Sequence, residues 1–182
     1  MDQGYSFLKN GIERYGIRLR FVEIKDSEFI LSLRNDERLG KFISKTSNRL
    51  SDQEQWISDY KKRELKGEEF YFIVEDSQGE RYGVTRLSDL KKGIPFELGS
   101  WLFSRESPPG MAIKADIIAK EVGFDTLGFN VCKFNVRRDN KSVLNYHLRY
   151  EPLIVEETDI DIYFNLSKEN FNKGKQKFLK FL

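Results

Sequence analysis

Three consecutive segments in the middle of the chain are rich in apolar and aromatic residues and are spaced like the strands of a β-meander. They cover residues 69–75, 81–87 and 95–103. Gaps of hairpin length favour antiparallel pairing between such strands. The break Pro108-Pro109-Gly110 follows, and apolar residues then recur at helical spacing up to about Phe124. The sequence therefore predicts an antiparallel meander that leads into a helix.

The segments before the meander predict one strand and two helices. A strand is expected at 18–24, and a helix at 26–39 with Asp26 or Ser27 as its N-cap. A second helix is expected to begin at the capping-box pattern formed by Ser51 and Glu54.

The segments after the break predict a second strand-and-helix group. Strands are expected at 132–136, 153–156 and 159–165, a helix at 140–150, and a Lys-rich helical tail at 167–182. The whole order predicts an α+β domain with a mixed, mostly antiparallel central sheet flanked by helices. The strand–helix–strand unit between Phe96 and Val136 predicts one parallel pair with a right-handed crossover.

Composition narrows the class of protein. The 182 residues suit a single domain spanning 1–182. Within it, residues 1–16 are expected to form a short leader that either pairs with the body of the domain or frays. The 31 basic and 29 acidic residues are interspersed, which argues against a nucleic-acid binder. The single cysteine, Cys132, excludes an intrachain disulfide, and one histidine is too few for a typical zinc site. With no apolar run of membrane-spanning length, we expect a cytoplasmic protein.

The break before the long helix is the first candidate site. A helix N-terminus presents backbone N–H groups without intrahelical partners and a partial positive charge, and both attract phosphate. Gly110 removes the side chain where a phosphate approaches closely, and Ala112 is nearly as small. The pattern is typical of a site for a cofactor with a pyrophosphate. An ordinary Pro-Pro-Gly turn is the alternative.

His147, the only histidine of the chain, is the second candidate. It has Val143 four residues before it and Tyr150 three residues after it, so it shares an apolar and aromatic helix face that we expect to point inward. A histidine there would be neutral or titrate near neutrality and could transfer a proton. A core histidine with satisfied nitrogens is the alternative.

Glu97 is the third candidate, in the last meander strand. Strict alternation places Glu97, Gly99 and Trp101 on one face of that strand. A carboxylate beside an indole can have a raised pKa and act as a base through a water molecule, whereas a solvated glutamate is the alternative. The mid-strand Gly99 indicates a bulge or the close approach of a ligand.

Together these segments resemble the GNAT superfamily of N-acetyltransferases, from about Leu19 to Asn165. Residues 96–103 resemble the family's fourth core strand. Residues 136–150 resemble its late segment, in which a strand leads to an asparagine and a short helix with an aromatic residue and a proton donor.

Within that superfamily the chain is similar to members of bacterial surface-polysaccharide and amino-sugar pathways. The shared features are the FISKTS loop at 42–47, a later tryptophan on the following helix, the GSW strand at 99–101 and the N-x-x-V-x-x-[FY]-H helix at 140–147. The ribosomal-protein acetyltransferases are a more distant resemblance, which rests on Arg34 and Asn35 in the first helix.

The resemblance implies transfer of an acetyl group from acetyl-CoA to a primary amine, with an amino sugar or a nucleotide-linked amino sugar as the acceptor. It implies pantetheine along the last meander strand and pyrophosphate on the backbone at the start of the following helix. The implied cofactor-binding residues are Trp101, Leu102, Phe103, Gly110, Met111, Ala112, Ile113, Asn140 and Val143. The implied acceptor-binding residues are Arg34, Asn35, Phe42, Ser44, Thr46 and Trp56.

The resemblance also implies catalytic roles. Glu97 is expected to take a proton from the amine through a water molecule, and His147 to give a proton to the departing thiolate, with Tyr146 as the second choice of donor. A backbone N–H near Leu102 is expected to stabilise the oxyanion. No metal is required.

Two positions depart from the family pattern. Ser107 stands where the pyrophosphate loop usually has Arg or Gln, and Glu151-Pro152 stands where the late helix usually ends in Gly-Phe. The altered loop keeps a non-catalytic CoA-binding domain among the alternatives, beside a protein N-terminal acetyltransferase. The expected partner is a small-molecule amine, with neither nucleic acid nor membrane, and a homodimer is left open.

Overall fold

An eight-stranded sheet organises the part of the chain that the computed structural model describes, which is residues 8, 10–43 and 47–180. The strands are β1 (Ile12–Arg14), β2 (Ile17–Phe21), β3 (Phe70–Glu75), β4 (Arg81–Ser88), β5 (Phe96–Phe103), β6 (Val131–Arg137), β7 (Leu153–Glu157) and β8 (Asp161–Ser167). Their order across the sheet is β1-β2-β3-β4-β5-β6-β8-β7. The β5–β6 pair is parallel and the other neighbouring pairs are antiparallel. The predicted mixed α+β sheet is confirmed.

Helices cover the two faces of this sheet. They are α1 (Ser27–Asn35), α2 (Glu37–Gly40), α3 (Leu50–Leu65), α4 (Met111–Glu121), α5 (Lys141–Leu148) and α6 (Lys168–Leu179), and a π-helical turn (Val122–Thr126) extends α4. One core cluster joins α4, α5 and α6 to one face of the sheet, and a second joins α1 and α3 to the other face. None of the described helices is long and apolar enough to cross a membrane.

Several predicted boundaries are corrected at the N-terminal end. Part of the expected leader forms β1, which pairs with β2, and Leu8 is buried in the core. The first predicted helix is divided, because Asp36 is extended and its carboxylate accepts hydrogen bonds from the first N–H groups of α2. The predicted capping box is wrong: α3 begins at Leu50 and no side chain caps it.

The C-terminal tail docks on the domain as α6. Phe171 and Phe178 are buried in the main core, and Gly174 lies so close to Tyr150 that a Cβ there would be 2.4 Å from the ring. Its lysines lie mostly on the exposed side of this helix. This arrangement positions the C-terminal helix behind α5, on which His147 lies.

Candidate active site

The site is the gap where β5 and β6 separate. Their parallel ladder contains only two pairs, Phe96 with Cys132 and Glu97 with Lys133, whereas β6 pairs with β8 over seven residues. Beyond Glu97 the β5 edge has no strand partner among the described residues. Its backbone groups there can therefore bind an extended ligand between the strands.

A β-bulge in β5 accompanies this separation. Val84 pairs with Leu102 and Arg86 with Gly99, so Ser100 and Trp101 together stand opposite a single residue of β4. Ser100 has a φ of 47°. An extra residue in one strand bends it and re-aims its side chains, which matches the bulge predicted from the mid-strand glycine.

The bulge also corrects the predicted arrangement of β5. Trp101 packs against the main core on the side of α4 and α5, where its ring stacks on that of Tyr146. Gly99 faces the opposite side, since a Cβ there would be 3.8 Å from Nη2 of Arg86, which packs over the Trp56 ring. Trp101 therefore does not share a face with Glu97 and Gly99, because the extra residue reverses the alternation.

A cleft of about 820 Å³ opens at this separation. It is lined by six of the nine predicted cofactor-binding residues, which are Trp101, Leu102 and Phe103 of β5 together with Ala112, Asn140 and Val143. Asn140 also caps α5 by accepting a hydrogen bond from the Val143 N–H at 3.4 Å. The cleft walls thus combine β5, β6 and the starts of α4 and α5.

The start of α4 has the features of an anion site. Gly110 is the N-cap with a φ of 81°, a conformation that favours glycine, and neither a side-chain cap nor an acidic residue lies in the first turn. The Trp101 indole N–H donates to the Ala112 carbonyl at 2.9 Å, which ties β5 to this turn. Ala112 lines the cleft, whereas Gly110, Met111 and Ile113 lie outside its lining. The Met111 side chain is buried and its N–H donates to the Pro108 carbonyl at 3.1 Å, so the N–H groups left for an anion in this turn are those of Ala112 and Ile113.

His147 lies at the inner end of the cleft, surrounded by rings. Its ring centroid is 4.5 Å from that of Phe134, 4.9 Å from Tyr146 and 5.7 Å from Trp101. The side chain is almost fully buried, and Nδ1 has no hydrogen-bond partner among the described residues. Burial, together with the positive charge of Lys120, lowers the pKa of His147 to about 3, partly opposed by Asp116. Of the two states expected for this histidine, neutral or titrating near neutrality, the lowered pKa supports the neutral imidazole.

Tyr146 is hydrogen-bonded to Asp116, which itself lines the cleft. Its hydroxyl donates to Oδ2 of Asp116 at 2.5 Å and lies 3.1 Å from the Tyr150 hydroxyl, and Tyr146 is absent from the cleft lining. Burial and the nearby Asp116 charge raise the pKa of Tyr146 well above its usual value. This geometry does not suit the predicted role of a direct proton donor to a thiolate in the cleft.

Asp116 and Lys120 were missed by the sequence analysis. They form a buried ion pair on α4, and Asp116 lines the cleft. Opposite charges four residues apart usually mark a solvated helix face. The available signal was the apolar sequence around them, Ala115 and Ile117 to Ala119, which leaves little of this helix for a solvated face.

A second wall of the cleft is formed by α1, α3 and the floor of β4 and β5. Of the residues proposed from the sequence to bind the acceptor, Arg34, Phe42 and Trp56 line this wall, Asn35 is not among the lining residues, and Ser44 and Thr46 lie outside the described residues. Glu97 also lines the cleft, partly exposed and 3.6 Å from Nζ of Lys133. It is therefore placed where a charged ligand can reach it.

Two further arginines on this side were not predicted. Arg38 donates from Nη2 to the Phe103 carbonyl at 2.8 Å, where β5 ends. Arg86 packs with Cζ 5.8 Å from the Trp56 ring, donates to Glu69 at 3.3 Å, and has a buried Nε without a partner among the described residues. Both line the cleft. The sequence offered no signal beyond their charge.

Comparison with solved structures finds the same fold at full length. The apo form of FdhC, described as a nucleotide-linked sugar GNAT, is 34% identical, with a TM-score of 0.83 over 94% of this chain and 98% of that chain. The ribosomal-protein-S5-alanine acetyltransferase of Vibrio fischeri is 14% identical, with a TM-score of 0.74 over 88% of this chain and 98% of that one.

A third similar structure is the spermidine N-acetyltransferase of Vibrio cholerae in complex with CoA and spermine. It is 19% identical, with a TM-score of 0.70 over 87% of this chain and 99% of that one, so it supports the fold alone. The search among curated proteins gives no match. The family profile described as an acetyltransferase (GNAT) domain matches residues 17–150. The chain therefore belongs to the GNAT acetyltransferases.

Proposed function

We propose that this enzyme transfers an acetyl group from acetyl-CoA to the amine of a nucleotide-linked amino sugar. The observation that carries the acceptor class is the 34% identity to a nucleotide-linked sugar GNAT across almost the full length of both chains. The spermidine and ribosomal-protein enzymes are below 20% identity, so they argue for the fold and not for their acceptors.

Acetyl-CoA fits the residues of the β5–β6 gap. When bound, it supplies an activated acetyl group and a thiolate leaving group. The free backbone edge of β5 beyond Glu97 can hydrogen-bond an extended pantetheine arm, and the uncapped start of α4 can hold the pyrophosphate through backbone N–H groups. Because these contacts come from the backbone, the absence of Arg or Gln at Ser107 does not remove them.

The charges on the acceptor side favour a phosphate-bearing acceptor over a polyamine. Arg34, Arg38 and Arg86 line this side of the cleft, and guanidinium groups bind phosphate through paired hydrogen bonds. A polyamine or the N-terminus of a peptide would instead require a predominantly acidic wall. Trp56 lines the same wall and holds the Arg86 guanidinium against its ring, with Cζ 5.8 Å from the ring centre.

Proton transfer from the amine is assigned to Glu97, and hydrogen bonding to the departing thiolate is assigned to His147. Glu97 accepts a proton from the amine through water, which leaves the nitrogen lone pair free to attack. His147 is neutral, so its contribution is the N–H of a neutral imidazole, offered to the developing negative charge at the inner end of the cleft. We assign stabilisation of the oxyanion to a backbone N–H of the bulged β5 segment near Leu102.

The test is thiol release from acetyl-CoA against a panel of matched amines. The panel contains nucleotide-diphosphate amino sugars, the same amino sugars without the nucleotide, spermidine, and a peptide with a free N-terminus. We expect turnover with the nucleotide-linked amino sugars. For the same amino sugars without the nucleotide diphosphate, kcat/KM should be at least about tenfold lower, which corresponds to a loss of about 1.4 kcal/mol of transition-state stabilisation. Preferred turnover of spermidine or the peptide would refute the proposed acceptor. Stabilisation by acetyl-CoA without turnover of any amine would instead support a CoA-binding role.

Arg86→Gln provides the matched variant. It keeps a polar side chain beside Trp56 but loses the guanidinium charge, so KM for the nucleotide-linked acceptor should rise while KM for acetyl-CoA stays nearly unchanged. Arg149→Gln, on an exposed part of the chain away from the cleft, is the control. Equal effects of both substitutions would contradict a specific contact between Arg86 and the acceptor.

A further inference from the structure

A buried polar cluster lies directly behind the inner end of the cleft. Oδ2 of Asp116 accepts from both Nζ of Lys120 and the Tyr146 hydroxyl, and the Tyr150 hydroxyl is 3.1 Å from that of Tyr146. Nζ of Lys120 also lies 4.6 Å from the centre of the Tyr150 ring. Lys120 is completely buried. Burying this many polar groups costs free energy unless each finds a partner, so the cluster is an unusual feature of a helix that otherwise packs on the sheet.

The cluster links three elements around His147. Tyr146 stacks on Trp101 with ring centroids 5.5 Å apart, and Trp101 is bonded to the first turn of α4 through the Ala112 carbonyl. Asp116, one turn later on α4, holds the Tyr146 hydroxyl. Contacts therefore run in a closed circuit from β5 to α4, from α4 to α5, and from α5 back to β5.

His147 depends on this circuit for its orientation. Its Nδ1 has no hydrogen-bond partner among the described residues, and its neighbours in space are the rings of Trp101, Phe134 and Tyr146. Of these three rings, only Tyr146 carries a hydroxyl, and Asp116 holds it. A buried nitrogen without a hydrogen-bond partner costs less free energy when it is an unprotonated acceptor than when it carries a proton. The packing around Nδ1 therefore favours the tautomer with the proton on Nε2.

We propose that Asp116 and Lys120 are positioning residues for the acetyl transfer, which act through Tyr146 to hold His147 in one orientation and one neutral tautomer. This inference rests on the proposed role of His147 at the cleft. Lys120 balances the charge of Asp116, which allows a carboxylate to remain buried beside the imidazole. Among the residues that the structure describes, the charged groups that act on His147 are these two, both from α4, while β5 and β6 face it with Trp101 and Phe134.

The first measurement uses the fact that the chain has a single histidine. Long-range proton–nitrogen spectra of tag-free protein labelled at histidine nitrogen report the tautomer and titration of His147 directly, without any substrate. In the wild type we expect one neutral tautomer, protonated at Nε2, at neutral pH. Tyr146→Phe and Asp116→Asn should give averaged nitrogen shifts typical of mixed tautomers, and Lys120→Met should make His147 titrate at higher pH than in the wild type.

The control is Asp125→Asn, which removes a carboxylate from the π-helical turn that extends α4, where it pairs with Lys168 at 2.9 Å and does not line the cleft. It should leave the His147 spectrum unchanged. If Asp116→Asn fails to fold because Lys120 is left unpaired, the double variant Asp116→Asn/Lys120→Met removes both charges and should show the same mixed tautomers.

Kinetics give the second measurement. Tyr146→Phe and Asp116→Asn should each lower kcat about ten- to hundredfold, because a misplaced catalytic group costs rate more than binding, while KM for acetyl-CoA stays within about twofold. Combining the two substitutions should cost no more than the slower single variant, since both act through the same hydroxyl. An unchanged histidine spectrum in Tyr146→Phe, or losses that multiply in the double variant, would overturn the proposal.

The two proposals fail in different ways. If the histidine spectra respond as expected but no nucleotide-linked amino sugar is acetylated, the acceptor assignment is wrong and the positioning of His147 stands. If such a sugar is acetylated while the spectra do not respond, Asp116 and Lys120 have only a structural role.

Discussion

Acidification is expected to destabilise this protein through His147 in the range where a histidine would ordinarily become protonated. The folded-state pKa of about 3 lies below the unfolded reference of about 6.5. Because the folded state disfavours the charged imidazole, this part of the stability is complete above the unfolded pKa. It is lost as the pH falls from about 6.5 toward about 3.

The magnitude follows from linkage between protonation and folding. At about pH 5, the unfolded histidine binds a proton in roughly thirty of every thirty-one chains, whereas the folded one remains almost entirely neutral. The free energy of unfolding therefore falls by about 2 kcal/mol between about pH 7.5 and about pH 5 through this one residue. The value depends mainly on the unfolded pKa, since both pH values lie well above the folded one.

The assay is urea unfolding at both pH values, followed by tryptophan fluorescence, for the wild type and His147→Gln. Asp and Glu side chains titrate in both proteins. The quantity of interest is therefore the fall in the free energy of unfolding between the two pH values in the wild type, minus the same fall in His147→Gln. Val143→Ala is the matched control, because it removes an apolar contact from the same helix without removing a titratable group. Its pH dependence should equal that of the wild type.

The reasoning is refuted if acidification lowers the free energy of unfolding of His147→Gln by as much as it lowers that of the wild type. That outcome would mean that His147 can be protonated in the folded protein at about pH 5, and a proton donor in the form of imidazolium would again be available for catalysis. If His147→Gln is less stable than the wild type at both pH values but loses less stability on acidification, the neutral, buried imidazole is supported.

Three other predictions concern binding, the thiol and packing. Gly110→Glu should abolish the rise in melting temperature caused by acetyl-CoA, because it places a carboxylate at the start of α4; a retained shift would argue against a pyrophosphate site there. Cys132→Ala should keep turnover within about twofold, since burial raises the pKa of this thiol and keeps it protonated; a large loss in folded protein would point to a catalytic thiol. Gly123→Ala should lower the free energy of unfolding by about 1–3 kcal/mol because its Cβ would lie 2.2 Å from the Phe96 ring, whereas Gly40→Ala, with open space around it, should have little effect in the same urea titration.

Local sequence signals predicted much of the architecture because they depend on neighbours along the chain. Apolar and aromatic runs at meander spacing predicted β3 and β4, and the Pro-Pro-Gly break located the start of α4 just past Gly110. The unusual glycine in the third meander strand indicated the bulge that the structure has at Ser100. Errors arose where two local patterns competed, as at Asp36, which ends one helix and caps the next.

The chemistry of the site depends on contacts between residues far apart in the sequence. The sequence by itself determined that a lone histidine shares an inward helix face with aromatic residues, and a histidine there was expected either to be neutral or to titrate near neutrality. Only the tertiary structure decided for the neutral form, because Phe134, Trp101 and Lys120 come from three other elements and together exclude water and oppose a second positive charge. The pairing of Tyr146 with Asp116 across thirty residues was likewise invisible to spacing. Periodicity reports which face a side chain takes, whereas its pKa depends on the desolvation and charge that the opposing elements bring to that face.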